Sequence, residues 1–423
     1  MEIKPFQGWR YRAADGDVSS RIAPPFDVLS QADKEALLGR DPRNIVAVDL
    51  PFCPPADVGP ESVYDQAAAT LKGWQADGVL ARDERDSFYA CEQVFTWGGR
   101  TYRRRAMGVA VRLVEFGQGV WPHEKTFAGP RADRLMLSRK TRMQLSPVFG
   151  FYEDGTGPTD ALFAAAAARP DAAGTLHGVE ERLWVVSDPA VVEQVRDELA
   201  DRDVFIADGH HRYTTALAYR QSLGRIPPDH PANFVMFMLA AMDDPGLIIL
   251  PPHRVITGLK DFRLERFILD TRGVMDCEPV RLTRADVADA DAFLRGYGPH
   301  AMAFAAGEQA FVGRLKDISV MDRVAADQTQ AWREVDVSIL HRLLIEHYMA
   351  ENRTNQMLID YVADGPAALA AAHAGWADLV VFLQATPLEA LKQVALAGAV
   401  MPHKSTYFYP KLPAGMVLYP LEE

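Results

Sequence analysis

The sequence predicts an α/β protein with a mixed sheet and α+β character, and three observations carry that expectation. Short apolar or alternating runs of strand length are interleaved with longer stretches of helical period. Glycine and proline punctuate most of the transitions between them. Two strand-like runs are joined by Gly98-Gly99, a two-residue link suited to an antiparallel hairpin.

In chain order, "RIAPPFDVLS" opens with two prolines that set a rigid extended path into Phe26-Asp27-Val28, with Asp27 a candidate to face a site. Ser30 then caps the helix "QADKEALLG". "NIVAVDLP", Asn44 to Pro51, reads as a strand, and "VYDQAAATLKGWQADG", Val63 to Gly78, as a helix closed by its glycine. "FYACEQVFTW" and "RTYRRRAMGVAVRLVEF" are the two hairpin strands. "DALFAAAAARPDAAGTL", Asp160 to Leu176, is alanine-rich and reads as a short surface helix with loops. A strand "ERLWVVSD", a helix "PAVVEQVRDELAD" with Pro189 near its first turn, a strand "VFIAD" and a helix "HRYTTALAYRQSLG" follow. "ANFVMFMLAA" is a buried strand, Asp243-Asp244-Pro245-Gly246 a turn, and the chain returns as a strand to His253-Arg254. A further α/β segment closes with the strand "LVVFLQ", the helix "PLEALKQVALAG" and "MPHKSTYFYPK". The expected division is one α/β domain over residues 1–258 and a C-terminal α/β domain over 259–423.

Composition excludes several classes of function. A 423-residue chain that is 48% hydrophobic has material for two or three full cores. Its formal net charge of -12 leaves no broad basic footprint, so no nucleic acid and no membrane surface is expected as a partner, and any phosphate must be held by a local site. Cys53, Cys91 and Cys277 are far apart and form no CxxC pair, which argues against a disulfide framework and fits a reducing cytoplasm. No apolar run approaches the roughly 20 residues of a membrane span.

Three clusters carry chemistry. The first is Asp208-Gly209-His210-His211-Arg212, where an apolar strand delivers the chain to a glycine turn and a helix whose first amides point back at it. That is an anion site in outline, with Arg212 able to contact phosphate or carboxylate through two N–H groups. The plain alternative is a helix capped by Asp208 with surface histidines. The second is "WPHEKTFAGPRADRL", in which His123, Glu124, Lys125 and Thr126 combine a base, a carboxylate, a cation and a hydroxyl; Glu124 is the candidate general base and Lys125 the phosphate clamp. The third is "MPHKSTYFYPK", where Lys404, Ser405, Thr406 and Lys411 are candidates to ring an anion, and Tyr407 and Tyr409 either frame a substrate or belong to a strand packing alternate faces. Adjacent histidines on a helix point about 100° apart, so a protein-only zinc site is not expected. Mg²⁺ carried by a nucleotide remains open, with Asp208, Asp243, Asp244 or Glu124 as oxygen ligands. Neither a Walker A loop nor a GxGxxG turn opens a helix.

The motifs "APPFDV", "PHEKT" with "GPRADRL", "ADGHHRYTTAL", "MDDPGLIILPPHR" and "MPHKSTYFYPK", in this order over nearly all of the chain, resemble the bacterial and archaeal family catalogued as domain of unknown function 1015. The chain departs from that pattern with Phe26 in place of Tyr, Lys125 in place of Arg and His403 in place of Pro. Locally, "FIADGHHRYTTAL" is similar to the DGHHR or DGHTR turn of the ParB and sulfiredoxin superfamily, which includes CTP-hydrolysing, ATP-using and free-serine-phosphorylating members. The resemblance implies a ParB/sulfiredoxin-like phosphate-binding core elaborated by further α/β segments. It also implies a nucleotide, ATP or ADP with Mg²⁺, and serine or phosphoserine as the small molecule. Three functions stand open on these residues: a phosphotransferase using Glu124 as base with His210 or His211 assisting proton transfer, a phosphatase with His210 or His211 as nucleophile, and a non-catalytic nucleotide sensor. Oligomeric state is not indicated.

Overall fold

The structure, a computed structural model, describes residues 1–12, 16–54, 57–126, 128–153 and 157–422. Among them stand a nine-stranded mixed sheet and a six-stranded antiparallel sheet with helices interspersed, so the α/β expectation with a mixed sheet is met. The chain divides into two compact units, Met1–Leu247 with Pro410–Glu423, and Ile248–Tyr409.

The nine strands of the large sheet, in the first unit, are β1 (Ile3–Lys4), β2 (Phe88–Trp97), β3 (Arg100–Arg112), β4 (Val120–Trp121), β5 (Val148–Tyr152), β6 (Ala172–Leu176), β7 (Val179–Val186), β8 (Val204–Asp208) and β9 (Phe234–Ala241). Their order is β4-β8-β5-β9-β3-β2-β7-β6, with β1 beside β3. β8 runs parallel to β4 and β9 parallel to β5; the other pairs are antiparallel. Gly98 and Gly99 link β2 to β3 with φ of +56° and +75°, the left-handed pair a two-residue hairpin requires. β9 is buried at all of its positions, as a central strand covered on both faces must be, which is why its sequence is an unbroken apolar run.

The helices of this unit are α1 (Gln31–Arg40), α2 (Val46–Asp49), α3 (Glu61–Ala76), α4 (Ala128–Thr141), α5 (Pro158–Ala165), α6 (Pro189–Leu199) and α7 (His210–Ser222). Ser30 caps α1 as expected, in a reciprocal box with Asp33. Leu162 of α5, Val195 and Leu199 of α6 and Tyr213 of α7 pack with Phe88, Val109, Ile206 and Phe237 of the sheet in one core. α4 lies against both α3 and α7.

Three local expectations change. "NIVAVDLP" is not a strand: Val46–Asp49 is helical, started by Asn44, whose Oδ1 accepts from Val46 N–H at 3.0 Å. Ile45, Val46, Val48 and Leu50 are all buried, and complete burial gives the same apolar run in a helix as in a strand. The end of the alanine-rich stretch is β6, recruited by the edge of β7. Phe26–Val28 forms a single 3₁₀ turn, and Asp27 is exposed.

In the second unit the strands of the six-stranded sheet are β10 (His253–Thr257), β11 (Met275–Pro279), β12 (Ala301–Ala306), β13 (Gln309–Leu315), β14 (Leu358–Val362) and β15 (Leu379–Phe382), in the order β11-β13-β12-β15-β10-β14. Val255, Ala303, Val312, Leu369 and Phe382 belong to its separate core. Tyr407–Tyr409 pairs with Ile248–Leu250 as a short antiparallel ribbon, with Phe408 buried between the two tyrosines. No helix among the described residues is long and apolar enough to cross a membrane.

Asn44 is buried, and besides its bond from Val46 its Nδ2 donates to the carbonyls of Ser20 and Ile22 at 2.8 and 2.9 Å. Asn44→Ala removes three hydrogen bonds and strands two carbonyls and an amide, so a loss of about 3 kcal/mol is expected in urea unfolding; a change under about 0.5 kcal/mol would refute the role given to Asn44.

Candidate functional site

The site is built where β8 ends. Pairing between β8 and β5 slips by one residue, from Ile206 opposite Gly150 to Asp208 opposite Phe149, a bulge that re-aims the strand end. Gly209 follows with φ +91°, ψ 26°, a left-handed conformation natural to glycine, and α7 begins at His210. A Cβ on Gly209 would lie 2.9 Å from Nε of Arg212, so glycine also gives the guanidinium room to fold back over the turn. The first backbone bond of the helix runs from Tyr213 N–H to Gly209 O, and no side chain caps it. Asp208 is therefore not the helix cap; it accepts from Gly209 N–H at 2.7 Å and turns its other oxygen elsewhere.

That oxygen meets Lys411, whose Nζ donates to Asp208 Oδ2 at 2.9 Å, while Arg212 Nη2 stands 3.8 Å from Oδ1 and Arg212 Nη1 donates to Pro147 O. Burial alone would raise the Asp208 carboxyl, but the Lys411 ammonium and the Arg212 guanidinium outweigh it and hold the group well below the usual carboxylate range. One carboxylate thus gathers two cations at an uncapped helix N-terminus.

A buried polar row holds Lys411 in place. Glu181, Gln93 and Arg104 sit opposite one another on β7, β2 and β3. Gln93 Nε2 donates to Glu181 Oε1 at 2.7 Å, Arg104 Nε donates to Gln93 Oε1 at 3.0 Å, and Arg104 Nη2 donates to Pro410 O at 2.6 Å. Gln93 Nε2 also donates to the carbonyl of Lys411 itself, at 3.3 Å. Burial pushes the Glu181 carboxyl up to about 8 and brings Arg104 down to about 10. The local sequence conceals this row, because Arg104 sits inside an Arg-Arg-Arg run that reads as a solvated face. In a strand the outer two arginines share one side and the middle one takes the other, and here the middle one is buried.

The "PHEKT" segment joins the same turn. His123 and His210 are both buried, with ring centroids 4.6 Å apart at 83°. His123 Nδ1–H donates to Ile206 O at 2.7 Å, and His123 backbone N–H donates to Nε2 of His210 at 3.2 Å. Burial brings His123 down to about 4 and His210 well below its ordinary value, the second lowered further by the first. Glu124, next to His123, is half-buried, Lys125 is exposed, and His211 is half-exposed on the first turn of α7. In the second unit, Lys404 is exposed with φ +55°, Ser405 is buried and donates to Pro402 O, and Thr406 is buried. Asp243 is exposed, and Asp244 closes its own turn by accepting from Gly246 and Arg105 N–H.

A second buried network backs α4. Arg134 Nε donates to Asp133 Oδ2 at 2.6 Å and Nη1 to Asp49 O, its guanidinium lies 4.0 Å from the Phe26 ring centroid, and Tyr64 OH donates to Asp133 Oδ1 at 2.6 Å. Phe26 belongs to "APPFDV" and Asp133 and Arg134 to "GPRADRL", while Asp49 ends α2 and Tyr64 lies on α3, so the network ties α4, the helix beside α7, to both of those helices. Among the described residues no group of three or more His, Cys, Asp or Glu side chains is placed to hold a metal ion. Asp208 is committed to Lys411 and Gly209.

The chain belongs to the family described as protein of unknown function, DUF1015, whose model matches residues 3–338. No curated protein matches it in sequence. Among solved structures it is similar to a free serine kinase in complex with AMP, at 14% identity and a TM-score of 0.36, over 73% of this chain and 92% of that one. It is also similar to a conserved hypothetical protein from Pyrococcus furiosus, at 15% identity and 0.34 over 72% and 97%. SbnI with a C-terminal truncation from Staphylococcus aureus gives 14% identity and 0.36 over 74% and 87%.

The buried histidines set a pH dependence. Their folded pKa values lie below the unfolded one of about 6.5, so the stability they contribute is complete above that pH and is lost as pH falls toward the folded value. For His123, held at about 4, the loss between pH 7 and pH 5 is about 2 kcal/mol. Urea unfolding at the two pH values, in wild type and His123→Gln, checks this: the variant is expected to show a visibly smaller difference, and equal differences would reject the assignment.

Proposed function

We propose that this protein is a phosphotransferase of the cytoplasm that moves a phosphoryl group between a nucleotide, ATP or ADP, and a small hydroxylated metabolite, with serine or phosphoserine the leading class. The observation that carries the reading is the meeting of Arg212 and Lys411 on Asp208 at the uncapped start of α7. Two cations held by one carboxylate beside free-running helix amides form a pre-set receptor for phosphate, and pre-set charge is the main device of phosphoryl-transfer catalysis. The similarity of "FIADGHHRYTTAL" to the phosphate-cradling turn of the ParB and sulfiredoxin superfamily supports it.

In this reading Arg212 and Lys411 neutralise the transferred group, and Asp208 fixes both cations rather than reacting. Glu124 takes the proton from the acceptor hydroxyl as its oxygen bonds to phosphorus and the nucleotide oxygen leaves. His211 serves proton transfer, since it is the half-exposed member of the histidine pair in the turn. His210 orients the "PHEKT" segment: its Nε2 already accepts from the His123 amide, which takes that nitrogen out of a phosphate-acceptor role. With Asp208 committed, the turn suits a Mg²⁺ that arrives on nucleotide phosphates with one or two protein oxygens at most. No step is assigned to Lys125, Lys404, Ser405 or Thr406.

The test is phosphorus NMR of the purified protein with ATP or ADP, Mg²⁺ and serine, and in reverse with phosphoserine. Wild type is expected to form product, Arg212→Ala and Lys411→Ala to lose about 100-fold or more in rate, and Glu124→Gln to lose a similar factor while still binding nucleotide. No product from either direction, together with no nucleotide-dependent rise in melting temperature, would overturn the reading.

A further inference from the structure

At one rim of the sheet in the second unit, where β12 begins and β13 and β15 end, lies an open cleft of about 580 Å³, in the size range of small-molecule sites. Ile318, Val335 and Ala390 contribute apolar wall, and His300, Asp336, Glu334, Gln384 and Arg295 supply its polar groups. None of these residues has a part in the turn at Asp208.

His300 is the unusual member. It stands just before β12 with φ +58°, a left-handed conformation that glycine adopts freely and residues with a Cβ seldom do. A histidine at such a position calls for a use of its ring, and the ring is engaged: Nδ1 lies 2.7 Å from Oδ1 of Asp336, the first residue of the short helix Asp336–Ser338. A carboxylate only accepts, so Nδ1 carries the hydrogen and, in the neutral ring, Nε2 keeps a lone pair. The imidazole remains reachable, since 26% of the side chain is exposed.

The other polar groups share that accepting character. Glu334 is exposed, and its Oε1 accepts from Gln330 Nε2 at 2.7 Å. Asp336 Oδ2 and Glu334 Oε2 accept no hydrogen bond among the described residues. Gln384 gives its amide hydrogens to Gly298 O and Ala301 O, at 2.9 and 3.3 Å, which leaves Oε1 as a further acceptor. Arg295 is the cation of the lining, and its Nε donates to Asp291 Oδ2 at 2.9 Å. With that guanidinium balanced by Asp291, the cleft presents acceptors and the negative charge of Asp336 and Glu334.

We propose that this cleft binds an organic ammonium compound, its N–H groups donating to His300 Nε2 and the carboxylates of Asp336 and Glu334, and its carbon body lying along Ile318, Val335 and Ala390. An ammonium group donates hydrogen bonds and accepts none, which matches a lining that mostly accepts, and its charge is of the complementary sign. The same carboxylates reject a phosphate or carboxylate ligand. The inference does not rest on phosphoryl transfer.

Isothermal titration of the full chain tests it with one ring-bearing body on three heads, 2-phenylethylamine, 2-phenylethanol and 3-phenylpropionate, and with spermidine as an extended amine. At least one of the two amines is expected to bind one-to-one, and the alcohol and the carboxylate to bind at least tenfold more weakly than it. Glu334→Gln removes a charge from an exposed side chain with little change of shape; it is expected to weaken the amine about fivefold and to leave the melting temperature unchanged. Arg295→Gln removes the cation and is expected to tighten the amine. Opposite effects on affinity from two exposed charges are a result that merely structural roles would not give. His300→Asn retains a side chain that tolerates the left-handed backbone and can donate to Asp336; losing the ring nitrogen, it is expected to bind the amine about tenfold more weakly while still folded. Failure of both amines to bind, an alcohol or carboxylate that binds as tightly as the amines, or unchanged affinity in Glu334→Gln would overturn the proposal. Phosphoserine formation is read separately and involves none of these residues, so amine binding without turnover refutes the transferase reading alone, and turnover without amine binding refutes the cleft alone.

Discussion

Lys411 and Asp208 are 203 residues apart in sequence and 2.9 Å apart in space, and the site depends on that ion pair. Without the ammonium, the Asp208 carboxylate would stand half-buried with the Gly209 N–H and the loose contact to Arg212, and its ionised form would be costly. Without the carboxylate, two cations would repel across the helix start. Each group makes the burial of the other tolerable, and together they fix the position of Arg212 and the last segment of the chain. An exposed pair of the same geometry would contribute little; this one matters because its members are mostly removed from water and because further polar groups enforce its position.

Those further groups lie on the sheet. The row Glu181–Gln93–Arg104 carries polar contact across three strands to Pro410 and Lys411, through strands that otherwise bury apolar side chains. The histidine pair does the same from the other side, tying the segment after β4 to the end of β8. Buried networks of this kind contribute less to net stability than an apolar core of equal volume, yet they admit only one arrangement of their members. In this protein the arrangement they enforce is the one that brings "DGHHR", "PHEKT" and the final lysine of "MPHKSTYFYPK" together.

How much of this was legible follows from the kind of signal each residue gives. The strand, glycine turn and helix at Val204–Ser222 were plain, because an apolar run, a glycine and a helical period each have a local cause. The Ser30 cap and the Gly98-Gly99 hairpin were legible for the same reason. Val46–Asp49 was not, since full burial erases the difference in periodicity between a short helix and a strand. Ala172–Leu176 became a strand through pairing with β7, a tertiary cause absent from its own residues. Arg104, Gln93 and Glu181 gave no local sign of burial, and Lys411 was visible as a cation but not as the partner of a residue two hundred positions earlier. Burial of His123 and His210 likewise depends on strands from distant parts of the chain.

The placement of Pro410–Glu423 in the first unit has a consequence for the order of events in the cell. The whole of the second unit is translated between Leu247 and Pro410, and Ile248 pairs with Tyr409 where that excursion leaves and rejoins. A nascent chain that has emerged as far as residue 409 holds every histidine and arginine of the turn but neither Pro410 nor Lys411. Its cradle would carry an Asp208 without its ammonium and an Arg104 without its carbonyl. The proposed phosphate site is thus assembled only after Pro410 and Lys411 have been synthesised, and translation products that stop before them lack it whatever the state of the rest of their fold.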